Sequence, residues 1–119
     1  MNLQEIIDLL DLNLLTTPKD FTQVYPSSGY ASDLLSCVMA NAQHQGIWIT
    51  LQAHINIVAV AALLELSAVI ISENALPDAA TISRANNEGV TLLATTKSTF
   101  SIVGLLWDLG LRESGATKA

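Results

Sequence analysis

Side chains suited to holding an acceptor-rich ligand recur at four places along the 119-residue chain. They are Ser27-Ser28-Gly29-Tyr30-Ala31-Ser32-Asp33, Thr50-Leu51-Gln52-Ala53-His54-Ile55-Asn56, Ser72-Glu73-Asn74-Ala75 and Thr95-Thr96-Lys97-Ser98-Thr99. Hydroxyls and amides dominate all four. Short polar side chains beside a helix N-terminus suit a phosphate, a carboxylate or a sugar: they hydrogen-bond the ligand while the helix end favours negative charge. The candidate contacts are Ser28, Ser32, Gln52, His54, Asn56, Ser72, Glu73, Thr96, Lys97, Ser98 and Thr99. Lys97 is one of only five basic residues set against eleven acidic ones, so it offsets the negative potential where an anion must approach. A second role competes for some of these positions. Ser32, Asn56, Asp78 and Ser98 stand where helices need N-caps, and a cap alone is worth about 1 kcal/mol.

Other chemistries find little support. His44 and His54 are the only histidines, and neither belongs to a His/Cys cluster with metal-ligand spacing, so no metal or other cofactor is expected. His44 precedes Gly46 near an expected helix end, where an imidazole complements the dipole; His54 lies in a loop at the candidate binding edge. Glu73 can serve as a general base, as a ligand contact or simply as a solvated loop carboxylate. Cys37 lies among Leu34, Leu35, Val38 and Met39 and reads as a packing thiol. No Gly-x-x-x-x-Gly-Lys-Ser/Thr loop, Gly-x-Gly-x-x-Gly or Gly-x-Ser-x-Gly is present, so the usual sequence supports for phosphoryl transfer, dinucleotide binding and ester hydrolysis are missing. The expectation is a protein that is not an enzyme.

The elements that must position these residues follow from periodicity. Leu3, Ile6, Ile7 and Leu10 predict an amphipathic helix over 2–11. Residues 12–16 are short and apolar, 18–20 form a turn, and the aromatic and β-branched content of 21–25 predicts a strand that Pro26-Ser27-Ser28-Gly29 breaks. A helix follows from Ser32, with Gly46 as its stop. Strands at 47–50, 68–71 and 90–95 then alternate with helices at 55–66, 78–88 and 98–109. Three βα units in succession imply a mostly parallel sheet, and strands apolar on both faces imply helices on both sides, a three-layer α/β/α architecture. In such a sheet the loops after the strands converge on one edge, which is where the four polar segments would meet. Residues 1–111 are expected to form a single domain, with 112–119 a frayed, flexible tail.

Composition narrows the class. Half the residues are hydrophobic and 13% are charged, which excludes disorder over most of the length. A net charge of −6 without a basic cluster argues against nucleic acid and anionic lipid as partners. The longest uninterrupted apolar run, Ile57 to Leu64, is far short of the roughly 20 residues of a bilayer span. A lone cysteine and a start without a basic n-region or an apolar h-region point to the cytoplasm.

Residues 29–111 carry a recognisable order. Trp48-Ile49-Thr50 is followed by a loop and Ile57-Val58-Ala59-Val60-Ala61-Ala62-Leu63, then Ala68-Val69-Ile70-Ile71-Ser72 and Pro77, then Gly89-Val90-Thr91-Leu92-Leu93-Ala94-Thr95 with Ser98-Thr99-Phe100. This order resembles the DRTGG domain family, found as small stand-alone proteins and as a module attached to CBS domains or phosphotransacetylase-like chains, and similar to the N-terminal domain of HPr kinase/phosphorylase. Both name-giving motifs are altered. Ala53-His54 stands where the family carries Asp-Arg, with a cationic His54 a partial replacement for Arg, and Ser72-Glu73-Asn74 stands where it carries Thr-Gly-Gly. The resemblance implies an α/β/α fold and a regulatory, ligand-sensing role without catalysis. Stand-alone members beside iron-only hydrogenase and redox-regulation genes imply an accessory role as the alternative.

Two function classes follow. One is a regulatory module that binds a small anionic, nucleotide- or phosphate-like ligand at the strand-end crevice. There Ser98, Thr99 and their helix N–H groups would face the anion while His54 and Gln52 approach from the neighbouring loop. The other is an accessory subunit that contacts a partner protein and needs no small ligand. A homodimer or higher oligomer is expected in either case, through the helix bearing Leu34, Val38 and Met39 or the last helix with Leu105, Leu106 and Trp107.

Overall fold

The computed structural model describes residues 1–113, and the expected tail lies outside the described residues from 114 onward. Two strands anchor the fold because every one of their residues is buried: β3 (Ile47–Thr50) and β4 (Ala68–Ile71). Alternate side chains of a strand point to opposite faces, so a strand buried throughout must be covered twice. Ile47, Ile49, Ala68, Ile70 and Leu93 form one core with α1 (Leu3–Leu10) and α5 (Thr99–Asp108). Trp48, Val69, Ile71 and Leu92 form the other with α2 (Leu35–Asn41), α3 (Asn56–Leu63) and α4 (Ala79–Glu88). The three-layer α/β/α architecture expected from the sequence is present.

The sheet order is β1-β5-β4-β3-β2, where β1 is Asn13–Leu14, β2 is Gly29–Ala31 and β5 is Leu92–Ala94. β2 to β5 are parallel and β1 joins β5 antiparallel, giving a mostly parallel sheet. Each crossover steps to the adjacent position in the same direction, so right-handed connections put α2, α3 and α4 on one face. α5 leaves the last parallel strand for the other face, beside α1. The loops after β4 and β5 therefore diverge, whereas those after β2 and β3 run to the same layer.

The first 46 residues correct three expectations. Residues 21–25 are not a strand: Phe21–Gln23 is a 3₁₀ turn, with the Asp20 carboxylate accepting from the Thr22 N–H at 3.2 Å. The strand is β2 instead, inside the polar segment 27–33 expected as a loop; Tyr30 pairs with Trp48, so β2 begins a fourth βα unit. Gly46 does not stop a helix, since α2 ends at Asn41, five residues earlier. Its role is close approach: a Cβ there would lie 2.9 Å from the Gln43 carbonyl oxygen and 3.1 Å from Ser28 Oγ.

Candidate functional site

The C-terminal ends of β2 to β5 bring most of the candidate residues to one edge, in two corners. In the first, the Asp33 carboxylate after β2 accepts from Thr50 Oγ1 at 2.7 Å and from the Leu51 N–H at 2.9 Å. Thr50 is fully buried, and its Oγ1 accepts in turn from the Gln52 N–H at 3.0 Å. Gln52 Nε2 donates to the Asp33 carbonyl at 3.2 Å, so Gln52 braces this loop pair. Ser32 contributes through both ends: its Oγ accepts from the Leu34 N–H and its carbonyl accepts from the buried Trp48 Nε1 at 2.8 Å. It is not the cap of α2, whose N-cap position is Leu34 with no side-chain bond. Asp33 was not among the residues singled out from sequence; its one prior signal was its place at the end of a polar run.

The second corner lies where the loops after β4 and β5 part. Glu73 turns into it, and its Oε2 accepts from the Thr99 N–H, the first residue of α5, at 2.7 Å. Fully buried Ser72 places its Oγ 2.6 Å from Thr99 Oγ1. The Glu73 N–H donates to the Lys97 carbonyl at 2.8 Å and the Asn74 N–H to the Thr95 carbonyl at 3.1 Å, so the two loops are laced together. Ser98 caps α5 by accepting from the Ser101 N–H at 3.1 Å. Thr96 and Lys97 are exposed at the rim. Glu73 and Asn74 have φ of +61° and +59°, the left-handed region that side chains disfavour. These two residues stand where the resembled family carries paired glycines, which adopt that conformation without a Cβ penalty.

Electrostatics single out the same corner. Among the described residues, Lys19 donates to the Gly89 carbonyl at 2.6 Å, Arg84 pairs with Glu88 at 3.3 Å, and Arg112 lies over the Trp107 ring at 4.3 Å. The Lys97 side chain has no such partner among the described residues. Among the described residues it is an unpaired cation beside the positive end of α5.

His54 lies between the corners rather than in the second. Its Nδ1 accepts from the Asn56 N–H at 3.2 Å, which assigns the proton of the neutral ring to Nε2. Asn56 is the first residue of α3, not its cap. Asp78 caps α4, and the Thr81 backbone and hydroxyl bonds to its carboxylate, with a smaller contribution from His54, hold its carboxyl below the usual value of 3.8. Ser28 lies at the opposite edge. It precedes β2, is buried, and its carbonyl accepts from the Ile47 N–H at 2.8 Å at the N-terminal start of β3. Ser28 would reach the strand-end edge only if the preceding strand were 21–25; with the strand at 29–31 it stands before the strand instead.

No group of three or more His, Cys, Asp or Glu side chains that could hold a metal occurs among the described residues. No helix among them is long and apolar enough to cross a membrane. A cavity of about 200 Å³ between α5 and β2 is lined by Gly29, Ile49, Val103, Trp107 and Arg112. It is smaller than the roughly 300–1,000 Å³ of typical small-molecule sites. The Arg112 carbonyl accepts from the Gly29 N–H at 2.9 Å, so the chain at 112 is held against the sheet edge.

No family model matches the chain, and no curated protein matches it in sequence. In three dimensions the fold is similar to the crystal structure of the CBS and DRTGG domains of the regulatory region of Clostridium perfringens pyrophosphatase, complexed with its activator diadenosine tetraphosphate. The TM-score is 0.72 at 17% identity. The match covers 97% of this chain, which spans about half, 52%, of that one. At this identity the likeness shows a shared fold.

Proposed function

We propose that the protein is a non-catalytic, ligand-sensing regulatory module whose ligand presents a phosphate-like anion to the corner between the β4 and β5 loops. One observation carries this reading: the N-terminus of α5 already holds an anion, the carboxylate of Glu73, bound to the Thr99 N–H at 2.7 Å. A helix end accepts a phosphate by the same N–H groups and the same dipole. Phosphate is the stronger competitor because it carries more charge and more acceptor oxygens. Thr99 with its N–H and hydroxyl, Ser72 Oγ and the free ammonium of Lys97 form the contact set once Glu73 swings out. Gln52, His54 and Asn56 border the site on the next loop, and Ser32 supports that loop from behind. The similar domain pair belongs to a regulatory region with a dinucleotide activator, which favours a nucleotide as the carrier of the anion. Cys37 is half-buried and is read as a packing thiol, in keeping with a cytoplasmic protein.

Calorimetric titration with diadenosine tetraphosphate, ATP, AMP and inorganic phosphate tests the reading on the wild type and on Glu73→Gly. At least one of these anions binds the wild type, binds Glu73→Gly several-fold more tightly because the resident carboxylate is gone, and loses most of its affinity on Lys97→Ala. A thermal scan gives the same ranking, since a ligand at about 100 times its Kd stabilises by roughly 2.7 kcal/mol. Absence of binding to both proteins, or affinity indifferent to Glu73 and Lys97, removes the proposal.

A further inference from the structure

The side of α5 turned away from the core is apolar where a surface helix is ordinarily polar. Ile102 and Leu106 are buried, yet Phe100 is 89% exposed, Trp107 44% and Leu105 39%. Phe100, Gly104 and Trp107 follow at i, i+4 and i+7, so they form one stripe. A helix apolar all round is normally covered on both sides. Leu106, expected at a contact, is buried inside this chain, as is Val38 on α2. That leaves the stripe of Phe100, Gly104 and Trp107 as the contact surface of α5.

Two further observations bear on what covers it. Gly104 sits in mid-helix, where glycine is less favourable than alanine, yet a Cβ there would meet nothing within 4 Å. No part of the described chain requires that space. Lys97 lies at the N-terminal end of the stripe and Asp108 at its C-terminal end, both exposed and neither in an ion pair among the described residues. Opposite charges at the two ends make the face complementary to itself when the second helix runs antiparallel, as a two-fold axis requires.

We infer that two copies of this chain associate through α5 as a two-fold dimer. With the axis passing at the level of Ile102 and Val103 along the helix, Phe100 of each copy enters the space over Gly104 of the second copy, on the side of its Trp107. In the same register Lys97 of each copy approaches Asp108 of the other. The open groove of about 650 Å³ from Lys97 past Phe100, Gly104 and Trp107 to Asp108 receives the second helix. A ten-residue helix is about 15 Å long and covers less than the roughly 800 Å² per partner of a standard interface. The dimer therefore assembles at micromolar concentration and above.

Sedimentation equilibrium on the full chain from about 5 to 500 µM, without added ligand, tests this, with melting curves to confirm that each variant folds. A monomer–dimer equilibrium is expected, weakened at least tenfold by Phe100→Asp, which exchanges an exposed side chain. Gly104→Ala carries the sharper test: it raises the melting temperature of the dilute monomer by roughly 3–5 °C through helix propensity while weakening association several-fold. Lys97→Asp and Asp108→Lys each weaken association, and the double exchange restores it. A monomer at every concentration overturns the proposal, as does association indifferent to both Phe100→Asp and Gly104→Ala; either result gives the face to a different protein.

Discussion

The two corners at the C-terminal edge of the sheet use the same device at different cost. At each, a carboxylate from one loop closes onto the next: Asp33 onto Thr50 and Leu51, and Glu73 onto Thr99. The first joins loops that lead to helices on the same face, and Asp33 makes its bonds without a left-handed backbone. The second joins loops that diverge to opposite faces, and Glu73 spans that gap only with two consecutive left-handed residues. Each such residue costs on the order of 1 kcal/mol relative to glycine. A carboxylate held without strain belongs to the fold. One held against strain, beside Lys97, is the one that the proposed anion would displace.

The contrast is testable by unfolding in urea. The largest effect is expected for Asp33→Ala, about 2–3 kcal/mol, because the fully buried Thr50 hydroxyl loses its acceptor and the Leu51 N–H loses its own. A loss no greater than that of Glu73→Ala would erase the distinction between the corners. Glu73→Ala is expected to cost about 1 kcal/mol, the usual value of a helix N-terminal bond. Glu73→Gly, which loses the same bond but relaxes the φ of +61°, should lie within about 0.5 kcal/mol of the wild type. Equal destabilisation by alanine and glycine would show that the strain is not real.

The smallest effect concerns the carboxylate that caps a helix without joining two loops. The folded-state carboxyl of Asp78 titrates below its unfolded value of 3.8 because Thr81 bonds its charged form. Its contribution is therefore complete above the unfolded value and is lost as pH falls through the folded one. Acid unfolding curves should show this loss only below about pH 4, and Asp78→Asn, which still caps, should flatten that segment while leaving stability near pH 7 unchanged. A change confined to the neutral range would remove this account of Asp78.

What the sequence by itself determined acts over a few residues, although not every local signal held: Ser32 and Asn56, expected as caps, do not cap their helices. The apolar stripe of Leu3, Ile6 and Leu10, the strands Ile47–Thr50 and Ala68–Ile71 apolar on both faces, and the caps Asp78 and Ser98 were legible because periodicity and capping operate within about four positions. Three-residue β2, Gly-Tyr-Ala, carries no period to read; its pairing with β3 makes it a strand, and that displaced Ser28 to the far edge. The tertiary structure alone decided the site. Thr50 meets Asp33 across 17 residues, Thr99 meets Glu73 across 26 and Ser72 across 27, and only the parallel sheet brings those loops together. Whether a helix terminus faces open solvent or a carboxylate of its own chain depends on which face each crossover takes. That is a property of strand order, which no local pattern encodes.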